Sequence, residues 1–135
     1  MRFMFKVCFK LIKRAIVHDA SKYSKAEAPY FAAASNTKDV VYGSEQYKQD
    51  VEVNLKPALD HHYKLNSHHP QHHDKGIKEM HPMDLIEMLV DWKASTLRNK
   101  NGDIKKSLEL NRKRYGYTKQ EMENYEKFFR EIKAW

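Results

Sequence analysis

The chain is predicted to be all-α, a compact bundle of about five to six helices. Three observations carry this expectation. Apolar residues recur three and four positions apart over long stretches, as at Phe5, Phe9, Ile12 and Ile16. No run of alternating apolar and polar residues of strand length survives inspection. Helix start and stop signals also fall between the periodic stretches, among them Pro82, Asn101-Gly102, Asp103, Gly116 and Thr118. A length of 135 residues fits one domain, 1–135, able to bury about two thirds of its unfolded surface.

The first element is expected over Met1 to Val17. Phe5, Phe9, Ile12 and Ile16 form its apolar side, and Arg2, Lys6, Lys10, Lys13 and Arg14 lie on another. The lysines interrupt the run well short of the ~20 apolar residues that a membrane span needs. As the first helix of a bundle, this element places its apolar side in the core, with Cys8 as an inert core thiol; the other use of such a helix is to lie on a membrane surface. No membrane partner is expected.

Lys25 to Ser35 reads as the second helix and Asn36 to Gly43 as a loop. Ser44 or Glu45 opens a longer segment to about Asn66, which Pro57 breaks or restarts. Ser67 to Met80, polar and carrying Pro70 and Gly76, reads as a loop. Pro82 at a first-turn position begins a strongly amphipathic helix to about Asn99. Asp103 caps the next helix, to Arg114, and Thr118 with Glu121 forms a capping box for the last one. On that last helix Met122, Tyr125, Phe128, Phe129 and Ile132 make the apolar face.

The formal net charge of +7 and a pI near 9.4 favour an anionic partner, a nucleotide, a nucleic acid or a phosphorylated metabolite, although a solvated basic surface gives the same balance. Against a nucleic-acid module, the basic residues are scattered along the chain, although Arg112, Lys113, Arg114 and Tyr115 make a local patch. A single cysteine excludes an internal disulfide and fits a reducing, cytoplasmic setting.

Seven of the eight histidines fall between His61 and His81, and the eighth, His18, directly precedes Asp19. Imidazole and carboxylate together are ligands for divalent transition metals. Two adjacent side chains at a helix end reach one ion when the backbone leaves helical geometry between them, which makes His18 and Asp19 a candidate pair. His62, Asn66 and His69 follow at spacings of four and three, so the first two share a helix face and the third follows from the loop. His61 lies about a hundred degrees round the helix from His62. Asp84, Glu87 and Asp91 form a carboxylate stripe on the Pro82 helix, opposite Leu85, Leu89 and Trp92; such a stripe is costly in a half-buried position unless paired. Taken singly, the stripe fits a solvated face, and His61, His68, His72, His73 and His81 fit surface or loop positions. Their joint occurrence points to a metal site.

His18-Asp19-x-x-Lys22, the His62 and His68-His69 groups and Asp91 resemble the HD-domain superfamily of metal-dependent phosphohydrolases, all-α bundles with His and Asp ligands from successive helices. More narrowly, HDASKYSKAE, ALDHHYKLNSHHPQHH and DLIEMLVDW resemble a small family of phage and bacterial proteins of unknown function. The similarity runs from Val17 to about Arg114. It implies His18, Asp19, His62, His69 and Asp91 as metal ligands, with Asp19 placed to bridge two ions and His68 as the competitor to His69. Lys22 would serve a phosphate, and Glu27 and Glu87 would orient ligands or carry protons. The cofactor implied is one or two divalent transition ions, Mn, Fe, Co, Ni or Zn. One departure stands out: the superfamily pattern begins with a histidine upstream of the HD pair, and Met1 to Val17 has none. Either the start is cut short relative to its relatives or the site lacks that ligand.

The function implied is hydrolysis of a phosphoester, such as a nucleotide, by a metal-activated water, with Tyr23, Tyr30 and Tyr63 available to hold a base or, more simply, to pack. The expected location is the cytoplasm, that of the host if the chain is phage-encoded. The rival from another class is a catalytically reduced HD-like protein that binds a nucleotide, nucleic acid or host protein. A third reading is a structural protein whose histidines hold one ion for stability.

Overall fold

The computed structural model describes residues 2–34, 44–45, 49, 53–98 and 101–132. Among these there are six α-helices and no strand, so the chain is all-α. They are α1 (Arg2–Val17), α2 (Ala28–Ala34), α3 (Lys56–Leu65), α4 (Pro82–Arg98), α5 (Ile104–Tyr115) and α6 (Lys119–Ile132). Single turns of 3-10 helix run over Ala20–Tyr23, Pro70–His72 and Gly76–Glu79. The Asn36 to Gly43 loop and most of the segment opening at Ser44 lie outside the described residues. By its contacts the chain divides into two compact units, residues 1–72 and 73–135.

In the first unit the Ala20–Tyr23 turn packs against α2 and α3, and α3 packs against the Pro70–His72 turn. Pro57 sits at the start of α3, where its missing N–H leaves no intrahelical bond unmade. The second helix starts later than expected, at Ala28, because Ser24 to Glu27 are taken up in turns whose carbonyls receive the N–H groups of Glu27, Ala28 and Phe31.

α1 overturns two expectations. It has no buried residue, and Phe5, Phe9, Ile12 and Ile16 are 57–78% exposed. Cys8 is exposed too, and so is not a core thiol. A four-three-four spacing defines an apolar stripe but does not supply the surface that covers it.

The second unit is built as its sequence signals imply. Met88, Leu89, Leu108, Tyr117, Tyr125, Phe129 and Ile77 form its core, with Trp92, Leu85, Met122 and Phe128 packed around them. The Asp103 carboxylate accepts hydrogen bonds from the N–H groups of Lys105 and Lys106 at 2.8 and 3.4 Å, capping α5. α5 ends at Gly116, whose φ of 69° is left-handed and whose N–H bonds the Arg112 carbonyl. Thr118 and Glu121 form the reciprocal capping box of α6: the Glu121 N–H donates to Thr118 Oγ1 at 3.1 Å and the Thr118 N–H to Glu121 Oε2 at 2.6 Å. On α4, Asp84 is buried and Glu87 and Asp91 are half-buried, so the acidic stripe is not a fully solvated face.

Candidate metal centre

The site begins where α1 ends. Asp19 takes a left-handed backbone (φ 56°), unusual for a residue with a side chain, and this swings its carboxylate out of the helical path. The Lys22 ammonium bonds Asp19 Oδ2 at 2.5 Å while lying over the Phe31 ring. His18 Nε2 stands 3.4 Å from the same oxygen, and its ring lies 4.5 Å from that of His68. The other oxygen, Asp19 Oδ1, faces His62 Nε2 at 3.1 Å and His68 Nε2 at 3.4 Å. Oδ1 is closed off from solvent and accepts no well-formed hydrogen bond from the described residues.

α3 and the segment after it supply the nitrogens. His62, in the second turn of α3, is 2% exposed, and its Nε2 lies 2.9 Å from His69 Nε2. His68 and His69, adjacent in sequence, both turn inward, with ring centroids 4.1 Å apart. The sequence set them as competitors; the structure uses both. Asp19, His62, His68 and His69 each bring one ligand atom into a group whose members all lie within 4.8 Å of one another.

Glu27, completely buried, supports this group from behind. Its Oε2 receives His62 Nδ1 at 2.9 Å and the Ser21 hydroxyl at 3.1 Å, and its Oε1 receives His61 Nδ1 at 2.7 Å. A carboxylate only accepts, so His62 donates from Nδ1 to Glu27, while its Nε2 points at Asp19 Oδ1 and His69 Nε2 and would offer a lone pair to a cation placed between them. The Asn66 side-chain amide ties the frame together, donating to Ser21 Oγ and to the His62 carbonyl, both at 2.8 Å. His61 belongs to this supporting network rather than to the open surface, because Glu27 stands between the two neighbouring imidazoles and takes one on each oxygen.

Electrostatics match the geometry. Burial opposes ionisation of Asp19, but the close imidazoles of His62 and His68 and the Lys22 ammonium outweigh it and hold the carboxyl well below the usual carboxylate range. Glu27 is held low in the same way, burial being overcome by His61, His62 and Ser21. One carboxylate and three imidazoles thus face one another across shared protons. Donors around an ion bound at about 2.0–2.2 Å stand roughly 3–4 Å apart, close to the separations found, so the four residues fit a divalent cation that would replace the shared protons.

Asp19, His62, His68 and His69 all belong to the first unit. Of the expected ligands, His18, Asp19, His62 and His69 come together with His68 added; Asp91 and the proton-carrier candidate Glu87 stand on α4 of the second unit. Lys22 and Glu27 lie at the cluster, the first on Asp19 and the second behind His62. Ser21 was not singled out; its signal was its place two residues after Asp19 in the HDAS stretch. Tyr23 is 90% exposed, whereas the Tyr63 ring lies 5.0 Å from that of His69.

An all-α chain with a buried Asp-His cluster behind a helix end defines a class of helical candidate metal proteins. Within it, the chain belongs to the family described as a family of unknown function, DUF5662, which it matches over residues 1–134. No curated protein and no solved structure gives a significant match. Among the described residues no helix is long and apolar enough to cross a membrane.

Proposed function

We propose that the protein is a metal-dependent phosphohydrolase acting on a phosphoester of the nucleotide class. The observation that carries this reading is the convergence of Asp19, His62, His68 and His69 on one space, with His62 oriented by Glu27. The HD-like motifs and the net charge of +7 support it further. Asp19 and the imidazoles would hold a divalent transition ion, and His18, within reach of Asp19, extends the set. The chemistry that such an ion would supply there is activation of a water, whose pKa falls from 15.7 towards ~7 on coordination, for attack on phosphorus.

The remaining work falls to the chain. Glu27 fixes the His62 tautomer and stabilises the ring when positive charge reaches it. Lys22 restrains the Asp19 carboxylate and, with its side chain about a third exposed, has a donor left for a phosphate oxygen. Tyr63, beside His69, offers a face for a base. The resemblance also assigns Asp91 to the ligand set, which an Asp91→Asn variant tests directly.

A second reading, a catalytically reduced binding protein, is favoured by one observation: α1 carries no histidine. Elemental mass spectrometry of untagged protein, beside a His18→Ala, Asp19→Ala double variant, tests the first reading. Stoichiometric Mn, Fe, Co, Ni or Zn that the double variant loses is expected, with hydrolysis of nucleotide phosphoesters that depends on the ion. Glu27→Gln should weaken metal affinity by about 10–100-fold without abolishing it. Metal that survives the double variant, or none in the wild type, sinks the proposal. Metal without turnover of any phosphoester leaves the binding protein.

A further inference from the structure

We propose that α1 is an interfacial anchor that lays the protein on an anionic lipid surface. The inference rests on α1 alone and is independent of the metal centre. Phe5, Phe9, Ile12 and Ile16 are spaced four, three and four apart and are 68, 70, 57 and 78% exposed. At ~100° per residue they form one stripe along the helix. Val7, Leu11 and Arg14 are the half-buried residues of α1, and they fall on nearly the opposite side, where Arg14 reaches the Ser67 hydroxyl at 3.5 Å. α1 therefore turns its most apolar stripe away from the side on which Arg14 meets Ser67.

Charge selects the occupant. Arg2, Lys6, Lys10, Lys13 and Arg14 are five cations on sixteen residues with no acidic residue among them, so α1 alone contributes five of the formal net charge of +7. Lys6 and Lys13, three and four residues from Phe9, border the stripe, and Arg2 stands on the same side three residues before Phe5. A second copy of α1 laid on this face would bring five more cations next to the first five, in a contact with no anion to offset them. An anionic bilayer takes both features at once. The phenylalanine and isoleucine side chains enter the boundary between headgroups and acyl chains, and the lysine stems reach up to the phosphates. α1 is about 24 Å long and too charged to span, so it would lie in the plane of the surface. The apolar face of α1 was expected to be core; its exposure revises the expectation of no membrane partner.

The full chain is floated with vesicles of phosphatidylcholine alone and of phosphatidylcholine with phosphatidylserine, in low and high salt. Binding to the anionic vesicles at least about tenfold above the neutral ones, falling with salt, is expected. Phe5→Ser, Phe9→Ser should lower it on the order of a hundredfold, and Lys6→Ser, Lys10→Ser, Lys13→Ser should remove the preference for anionic lipid. These positions are exposed, so unchanged helical circular dichroism checks the fold of each variant, and the wild-type comparison of the two vesicles stands by itself. No anionic preference in the wild type overturns the proposal. So does binding that survives loss of both phenylalanines, which would be charge alone and fits a nucleic acid, or a dimer that the same variant splits, which would put a second copy on the stripe.

Discussion

Residues 1–72 close their interior around Glu27, His62 and His68, whereas residues 73–135 close theirs around Leu108, Met88, Leu89 and three aromatic rings, Tyr117, Tyr125 and Phe129. Among the described residues of the first unit, Leu55, Ala58 and Pro70 are the buried apolar side chains, a small apolar complement for so many ionisable groups. Buried imidazoles and carboxylates stabilise only when each is paired or ligated, while buried hydrocarbon stabilises whatever the solution contains. The first unit therefore depends on protons and ions near neutral pH far more than the second, whose buried carboxylate is Asp84 among a mainly apolar core.

The largest expected effect breaks the symmetry between them with an ion. A ligand that binds only the folded state adds about 4 kcal/mol when present at a thousand times its dissociation constant. Amide hydrogen exchange of the full chain, with the bound metal intact and after chelation, should show α3 and the Ala20–Tyr23 turn losing protection on chelation while α5 and α6 keep theirs. Equal loss in both units would mean that the metal stabilises the chain as a whole and that the two interiors do not differ in their dependence on it.

Next comes the converse lesion. Leu108 is wholly buried at the centre of the aromatic cluster, and Leu108→Ala removes its side chain from a close-packed site. The expected cost is about 3 kcal/mol, read by urea unfolding of the second unit's aromatic signal, with metal stoichiometry unchanged. A variant that loses metal along with stability would tie the two interiors together.

What the sequence revealed follows the same division. In the second unit the decisive signals are local. Asp103 caps the helix that starts one residue later, Thr118 and Glu121 bond across three residues, and Gly116 stops α5 because its left-handed φ suits glycine. In the first unit, spacing gave the His18-Asp19 pair and the His62 to His69 group, and the left-handed Asp19 is the break in helical geometry that the pair required. It did not give Glu27 as the common support of His61 and His62, since that contact spans 34 and 35 residues and no periodicity encodes it. Nor did it distinguish His68 from His69, because neighbours in an irregular segment have no fixed angular relation. For α1 the period correctly named an apolar stripe and was silent on what would cover it.

The smallest effects lie in pH, and they fall at opposite ends of the scale. Asp19 and Glu27 have carboxyls held below their unfolded values, so in chelated protein the stability they contribute is present above about pH 4 and is lost as pH falls from there through their folded values. Tyr117 runs the other way. Its hydroxyl donates to the Leu108 carbonyl at 2.5 Å, its ring packs against those of Trp92 and Tyr125, and burial, with the neighbouring Tyr125 and Glu109, pushes the phenol well above its ordinary value. Burial likewise pushes Tyr125 up to about 12. A raised folded pKa means stability that is complete below the unfolded value of about 10 and is lost as pH climbs beyond it. Alkali should thus loosen the second unit in a range where Asp19 and Glu27 are already fully ionised. Tyr117→Phe should cost about 1 kcal/mol at pH 8, the net worth of the hydrogen bond to Leu108. It should also reduce the fall in stability between pH 8 and pH 11, since a phenyl ring has no proton to lose. Urea unfolding of wild type and variant at both pH values measures this, and equal falls would show that the buried phenol is not what makes the aromatic core sensitive to alkali.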